Sequence, residues 1–209
     1  MSKIDELLSE LCPDGVPFYD LDSVFDLKNG YTPSKKNPSY WDNGTVNWFR
    51  MEDIRANGHV LSSSLQKIAE SGVKGGKLFA ANSLIVATSA TIGEHALITT
   101  PFMCNQRFTC LTLKAEYADK LDMKFVFYYA DLLDTYCLEN TNSGGFESVS
   151  MTAFRKFQFP VPPLEVQREV VRALDSFAEL EAELEARRAQ YRYYRDKLLS
   201  FDRERELNG

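Results

Sequence analysis

The stretch LEVQREVVRALDSFAELEAELEARRAQYRYYRDKLLSF, residues 164–201, carries the clearest periodicity in the chain. Positions spaced alternately four and three apart are Val166, Val170, Ala173, Phe177, Leu180, Leu184, Arg187, Tyr191, Tyr194, Leu198 and Phe201. All but Arg187 are apolar or aromatic, a heptad seam sustained over about five repeats. No Pro or Gly interrupts residues 164–207, so the spacing predicts a rod of roughly 60–65 Å at 1.5 Å per residue. That is longer than one compact domain covers with its own surface, and no other segment reads as a second long helix. The seam therefore calls for a partner helix from elsewhere. The alternative is a helix packed on its own domain.

Charge along the rod bears on the direction of that partner. Asp175, Glu179, Glu181, Glu183 and Glu185 form an acidic block, and Arg187, Arg188, Arg192, Arg195 and Lys197 follow with only Asp196 opposed. A parallel pair sets like charges side by side, whereas an antiparallel copy lays each block against its opposite. The charge boundary near residue 186 falls within one turn of the seam's midpoint between Val166 and Phe201. Pairing within the helix, such as Glu183 with Arg187, competes with this reading. Each surface pair is worth only about 0.3–0.5 kcal/mol, so charge selects orientation rather than driving association.

The rest of the chain holds one ordinary domain: 209 residues in all, 44% hydrophobic and 26% charged, a globular rather than disordered composition. No apolar run approaches the ~18–20 residues of a membrane span, and the start MSKIDE lacks the apolar stretch of a secretory signal. Cys12, Cys104, Cys110 and Cys137 are too scattered for a disulfide framework, and with only His59 and His95 a cysteine/histidine zinc site is not expected. A reduced, cytoplasmic protein is the expectation. The net charge of −6 argues against bulk coating of nucleic acid. It is unevenly spread, however. Residues 1–27 hold Lys3 against seven acids, while residues 28–77 hold eight Lys/Arg against four acids, together with Tyr31, Tyr40, Trp41, Trp48 and Phe49.

Upstream of the rod, Ser2 can cap a short helix with Ile4, Leu7, Leu8 and Leu11 on one face, ended by Pro13-Asp14-Gly15. From Phe18 to about Leu113 the pattern is short apolar or alternating runs separated by turn pairs, Asn29-Gly30, Asn43-Gly44 and Asn57-Gly58. Ser83–Thr88 and Phe108–Leu113 read as buried strands. Residues 119–138 read as a helix through Leu121, Phe125, Tyr128, Leu132 and Tyr136, and 141–145 as a loop.

Catalytic patterns are thin. Pro13-Asp14 followed by Asp26-Leu27-Lys28 fits loosely a Mg²⁺-nuclease pattern, in which Asp26 and Lys28 would share a strand face. Pro13-Asp14-Gly15 reads better as a turn. Asn37-Pro38-Ser39-Tyr40 departs from the Asn-Pro-Pro-Tyr of amino-directed DNA methyltransferases, and no strand followed by a Gly-x-Gly turn offers a place for an adenosyl cofactor. Two isolated histidines support no Ser/His/Asp set. What remains is a set of groups suited to DNA. Thr32, Ser34, Lys35, Lys36, Tyr40 and Arg50 can bond phosphates, and Asn47, Asn105, Gln106 and Arg107 are of the types that read purine edges. Loop caps account for Asn and Gln equally well.

Several stretches, taken in order, resemble the specificity subunit of type I DNA restriction–modification enzymes. They are Leu11-Cys12-Pro13-Asp14-Gly15-Val16, Asn29-Gly30-Tyr31-Thr32-Pro33-Ser34-Lys35 with Tyr40-Trp41, and Ser89-Ala90-Thr91-Ile92-Gly93. Asn105-Gln106-Arg107-Phe108, Gly144-Gly145-Phe146 and Val161-Pro162-Pro163-Leu164-Glu165-Val166-Gln167 complete them. The resemblance implies a target-recognition domain over residues 1–159 and a conserved helical region over 160–209. It also implies no catalytic site in this chain: modification subunits supply adenine methylation with S-adenosylmethionine, and restriction subunits supply cleavage. Family members usually carry two such units whose helices pack antiparallel. This sequence holds one.

The expectation is thus an α+β protein, a β-rich recognition domain followed by a long helix that forms an antiparallel coiled coil with a second copy. It reads a bipartite palindrome in double-stranded DNA and docks the methyltransferase. The expected DNA contacts are Thr32, Ser34, Lys35, Lys36, Tyr40, Arg50, Ser89, Thr91, Asn105, Gln106 and Arg107. For Ser89 and Thr91 a satisfied turn before Gly93 is the rival reading, and Tyr40 and Trp41 are more often core. Phe177, Leu180, Leu184, Arg187, Tyr191, Tyr194, Leu198 and Phe201 form the expected dimer seam, and Arg192, Tyr193 and Arg195 are a candidate methyltransferase face. The competing functions are a standalone nuclease using Asp14, Asp26 and Lys28, and a coiled-coil adaptor with no role on DNA.

Overall fold

The computed structural model describes residues 2–142 and 147–200. The N-terminal half comprises α1 (Lys3–Leu11), β1 (Phe18–Asp20), α2 (Leu21–Val24), β2 (Phe25–Asn29), β3 (Val46–Phe49), α3 (Met51–Asn57), β4 (Val60–Leu61) and β5 (Lys67–Ile68). Next come β6 (Ser83–Ala87), β7 (His95–Ile98), β8 (Met103–Cys104), β9 (Phe108–Leu113) and α4 (Met123–Glu139). The chain closes with β10 (Thr141–Asn142), β11 (Ser148–Val149), α5 (Met151–Arg155), β12 (Gln158–Pro160) and α6 (Leu164–Leu199).

A five-stranded sheet of order β2-β9-β6-β7-β4 forms the centre. Its pairs are antiparallel except β4 with β7. Every residue of β6 is buried because both sheet faces are covered, and the period of two divides the strand between two layers. Leu84 and Val86 meet α4 through Phe125, Val126, Ala130, Leu133 and Cys137, in a core completed by Leu21, Phe25, Phe154 and Phe159. Ile85 and Ala87 face the other way, toward Phe49, Met51, Ile54, Phe102 and Cys104. That second layer is α3 and a three-stranded sheet of order β5-β3-β8.

Three local readings change. The helix expected over 119–138 starts at Met123, capped by Asp122, whose side chain accepts from the Lys124 amide at 2.8 Å. Of the predicted stripe, Leu121 and Phe125 are buried, but in the C-terminal half the buried face shifts by one position: Leu133 and Cys137 are inside, and Leu132 is exposed. Asn29-Gly30 is not a hairpin turn. Gly30 ends β2 where the chain crosses residues 104–105, so closely that a Cβ there would lie 2.0 Å from the Asn105 carbonyl. Only glycine fits that crossing. The expected loop at 141–145 begins instead with the two residues of β10, and residues 143–146 lie outside the described residues.

The expected N-terminal helix is present with a reciprocal cap. The Ser2 hydroxyl accepts from the Asp5 amide, and the Asp5 carboxylate accepts from the Ser2 amide at 2.8 Å, which lowers the Asp5 pKa. It packs beside the root of α6, where Lys3 pairs with Glu169 at 3.3 Å. The root is fixed by the buried Gln167. Its amide donates to the carbonyls of Lys120 (2.7 Å) and Pro162 (2.6 Å), and its carbonyl accepts from the Asp122 amide at 2.9 Å. Past Asp175 the side chains of α6 stand exposed to Ser200, a free length of about 37 Å.

Candidate nucleic-acid interface

Seven of the eleven side chains expected to contact DNA converge on one cleft of about 350 Å³: Thr32, Lys35, Arg50, Thr91, Asn105, Gln106 and Arg107. Four segments carry these seven side chains. The Gly30 crossing, held by the Tyr31 amide donating to the Cys104 carbonyl at 2.7 Å, delivers Thr32 to Gln106, whose side-chain carbonyl accepts the Thr32 hydroxyl. The second segment is the Asn105–Phe108 turn between β8 and β9. The Asn105 amide donates to the Phe49 carbonyl at 3.0 Å and its Oδ1 accepts from the Arg107 amide at 3.0 Å. This use of Asn105 as a turn cap leaves Gln106 and Arg107 exposed at the tip.

The third segment is the start of α3. The Arg50 amide donates to the buried Asp53 at 2.7 Å, and Asp53 also accepts from the Leu65 amide at 2.5 Å. With its backbone pinned, Arg50 lays its guanidinium 5.4 Å from the centre of the Trp48 ring, within cation–π range. Arg50 Nε is buried without a hydrogen-bond partner among the described residues, and Glu52 lies 3.8 Å away. The β6–β7 loop supplies the fourth. Its Ala90 takes a positive φ of 68° and turns Thr91 inward, where its hydroxyl is likewise buried and without a partner among the described residues.

The cleft wall carries Lys35, Arg50, Arg55 and Arg107 against Glu52 alone. Of these, Lys35, Arg55 and Arg107 have no carboxylate within 4.0 Å among the described residues. A polar, cationic cleft with donors left over is suited to an anionic, hydrogen-bonding ligand. Arg55, Gln66, Trp48, Met51 and Glu52 also line it and were not anticipated. The surplus of positive charge over residues 28–77 is the one sequence signal that touches them.

The other four candidates lie outside this cleft. Ser34 spends its hydroxyl on the Lys36 amide (3.3 Å) and its carbonyl on the Trp41 indole (3.2 Å). Lys36 is exposed beside it. Tyr40 is half-buried against Gly72, its carbonyl accepting from the Ala69 amide at 2.9 Å. Ser89 bridges to Ser148. Of the proposed nuclease residues, Asp26 and Lys28 do share the exposed face of β2. Asp14 belongs to the Cys12–Gly15 turn by the root of α6.

Among the described residues, His95, Asp131 and Asp134 are the one group of three side chains with metal-ligand atoms in mutual reach. Asp131 is exposed, and His95 and Asp134 join β7 to α4 through a 2.6 Å hydrogen bond. The four cysteines are free, and burial pushes the Cys110 and Cys137 thiols up to about 12. On α6, Phe177, Leu180, Leu184, Tyr191, Tyr194 and Leu198 are between 48% and 72% exposed. Arg187 pairs with Glu183 in the same helix at 2.6 Å, and Phe201 lies outside the described residues. No described helix is long and apolar enough to cross a membrane.

Comparison with known proteins agrees with this architecture. The type I restriction modification DNA specificity domain matches residues 13–190. The chain is 51% identical over 224 aligned residues to the type I restriction enzyme EcoprrI specificity subunit of Escherichia coli, covering 100% of this chain and 55% of that one. It is 29% identical to the EcoR124I/EcoR124II specificity subunit of the same organism, covering 94% and 51% respectively. A chain in a solved structure of the type I R-M system shares the fold, with a TM-score of 0.69 at 19% identity over 93% of this chain and 48% of that one. The chain thus spans about half the length of the curated relatives it matches. It belongs to the family of type I restriction modification DNA specificity domains.

Proposed function

We propose that this chain is a DNA-reading, non-catalytic specificity unit that acts in the cytoplasm, with residues 1–159 as the recognition domain and 160–209 as the helical spacer. The observation that carries the reading is the cleft. Lys35, Arg50, Arg55 and the Gln106–Arg107 tip, contributed by distant segments, face one space. Lys35 and Arg50 fix register on phosphates, while Gln106 and Arg107 are offered to base edges in the major groove. The unit positions DNA for modification subunits that bring S-adenosylmethionine and perform the chemistry. Restriction subunits are further partners.

The free length of α6 pairs with a second copy in antiparallel orientation. The support is the exposed apolar seam from Phe177 to Leu198 together with the opposed acidic and basic halves. The helix then sets the distance between two half-sites, and two identical readers related by a twofold axis meet a bipartite palindrome. The test is to co-express the chain with its modification subunits and map methylated adenines. A split palindromic target is expected, lost or relaxed by Arg107→Ala. An asymmetric target overturns the pairing of identical readers, and Mg²⁺-dependent cleavage lost on Asp26→Ala overturns the non-catalytic reading.

A further inference from the structure

We propose that a second groove, next to the reading cleft, grips the DNA backbone independently of sequence. It is lined by Lys28, Tyr31, Lys74, Gly75, Lys77 and Phe79 and encloses about 410 Å³. The proposal rests on the DNA reading above and adds a site to it. The two spaces share their supporting segments: Tyr31 borders this groove and Thr32 the cleft, Met103 borders the groove and Asn105 the cleft. In this proposal one duplex spans both spaces, whose walls adjoin at residues 31–32 and 103–105.

The groove is built to hold an anion rather than to read one. The loop bearing its lysines is pinned at both ends. At one end the Val73 amide donates to Glu70 and the Val73 carbonyl accepts from the Gly76 amide; at the other Phe79 exchanges backbone hydrogen bonds with Phe102. Between these anchors Gly75 and Gly76 take positive φ of 68° and 64°, and a Cβ on either meets nothing within 4 Å. These glycines serve backbone shape, not packing, and keep the approach between Lys74 and Lys77 bare. The Lys74 ammonium is held 5.2 Å from the centre of the Tyr31 ring, which orients it without neutralising it. None of Lys28, Lys74 and Lys77 has a carboxylate within 4.0 Å among the described residues. Asn29, the one amide side chain in the lining, has its Oδ1 engaged by the Thr109 hydroxyl at 3.1 Å. Three free cations and no unengaged edge-reading carbonyl describe a phosphate contact.

The experiment measures binding of the full chain to a labelled mixed-sequence duplex by fluorescence anisotropy over a range of salt. Lys74→Glu with Lys77→Glu is expected to weaken binding at least about tenfold at low salt and to flatten the slope of log affinity against log salt by about 2. The mapped target sequence should stay the same. Lys77→Ala alone, at an exposed side chain, should flatten the slope by about 1 and keeps the test open if the double variant misfolds. If the wild-type chain binds and both variants bind with unchanged affinity and slope, the groove proposal fails alone. If the wild-type chain, assembled with its modification subunits, binds neither this duplex nor one carrying the mapped target, the DNA reading fails and takes the groove with it.

Discussion

The Tyr128 hydroxyl on α4 donates to Asp175 on α6 at 2.5 Å, while Lys124 reaches the other oxygen of the same carboxylate at 2.7 Å. Among the described residues these are the last side-chain hydrogen bonds between the rod and the domain. Their pH window follows from both partners. The hydrogen bonds from Lys124 and then Tyr128 hold the Asp175 pKa below the ordinary carboxylate value. That contribution is in place above the unfolded pKa and is lost as pH falls through the folded one. Burial first, and then the bond to Asp175, push Tyr128 up to about 12. Its contribution is in place below the unfolded value near ~10 and is lost as pH rises through the folded value. Urea melts should therefore show the wild type losing more stability than Tyr128→Phe between about pH 10 and 12. Equal losses would mean that the Tyr128 pKa is not raised in the folded protein.

Gln167 offers a sharper stability test. It is fully buried, and its amide serves three backbone groups of Lys120, Asp122 and Pro162. Gln167→Leu keeps the volume and removes every one of those bonds, leaving a donor and two acceptors without partners. An unsatisfied buried group costs about 1–3 kcal/mol, so a loss of ~3 kcal/mol or more in chemical denaturation is expected. Gln167→Glu should do nearly as badly, because two of the three groups it faces are carbonyls.

Gly30→Ala tests whether the backbone crossing makes the cleft. The added methyl would meet the carbonyls of Cys104 and Asn105 at 2.5 and 2.0 Å, and a backbone cannot yield as a side-chain tip does. The expected cost is about 1–3 kcal/mol of stability, and the movement separates Thr32 from Gln106. Sequence-specific methylation should fall by more than thermal stability alone predicts. A variant with wild-type stability and wild-type target choice would show that the crossing is not what aligns the two segments.

These positions also show where the sequence is legible. β6 and β9 stand out because burial on both faces makes them continuous apolar runs, and α6 stands out because its seam is repeated over many turns. β4, β5 and β8 are two-residue pairings, too short for any period to register; tertiary neighbours alone decide them. The phase of α4 is ambiguous locally, since Leu132 and Leu133 are equally apolar and only the sheet beneath selects Leu133. Gly30 carries a turn signature but serves as a place for two segments of the chain to touch, and nothing near it in sequence names the other segment. The cleft is legible where the family resemblance marks a motif, as at Asn105-Gln106-Arg107-Phe108. It is not at Arg55 or Gln66, whose relevance depends on segments far away in sequence.

The antiparallel helix pair yields a prediction in which orientation and register are tested together. Placing the charge boundary on the twofold axis sets each seam position against the one equally far beyond the boundary. Leu180 then faces Tyr191 of the second copy, and Phe177 faces Tyr194. In a background with Cys12 replaced by Ser, the remaining native cysteines are buried, so new thiols on α6 dominate oxidative crosslinking. Leu180→Cys protein mixed with Tyr191→Cys protein should give a crosslinked dimer on non-reducing gels, and neither alone should. A parallel pair reverses the pattern, because each position then faces its own copy and the single variants crosslink by themselves. Salt gives an independent check on orientation. The acidic and basic halves attract only when reversed, so raising the salt concentration weakens an antiparallel pair through screening and strengthens a parallel one. Crosslinking of Leu180→Cys with itself, together with association that grows at high salt, would exclude the antiparallel arrangement. The two recognition domains would then lie at the same end of the rod, where they could not meet two separated half-sites.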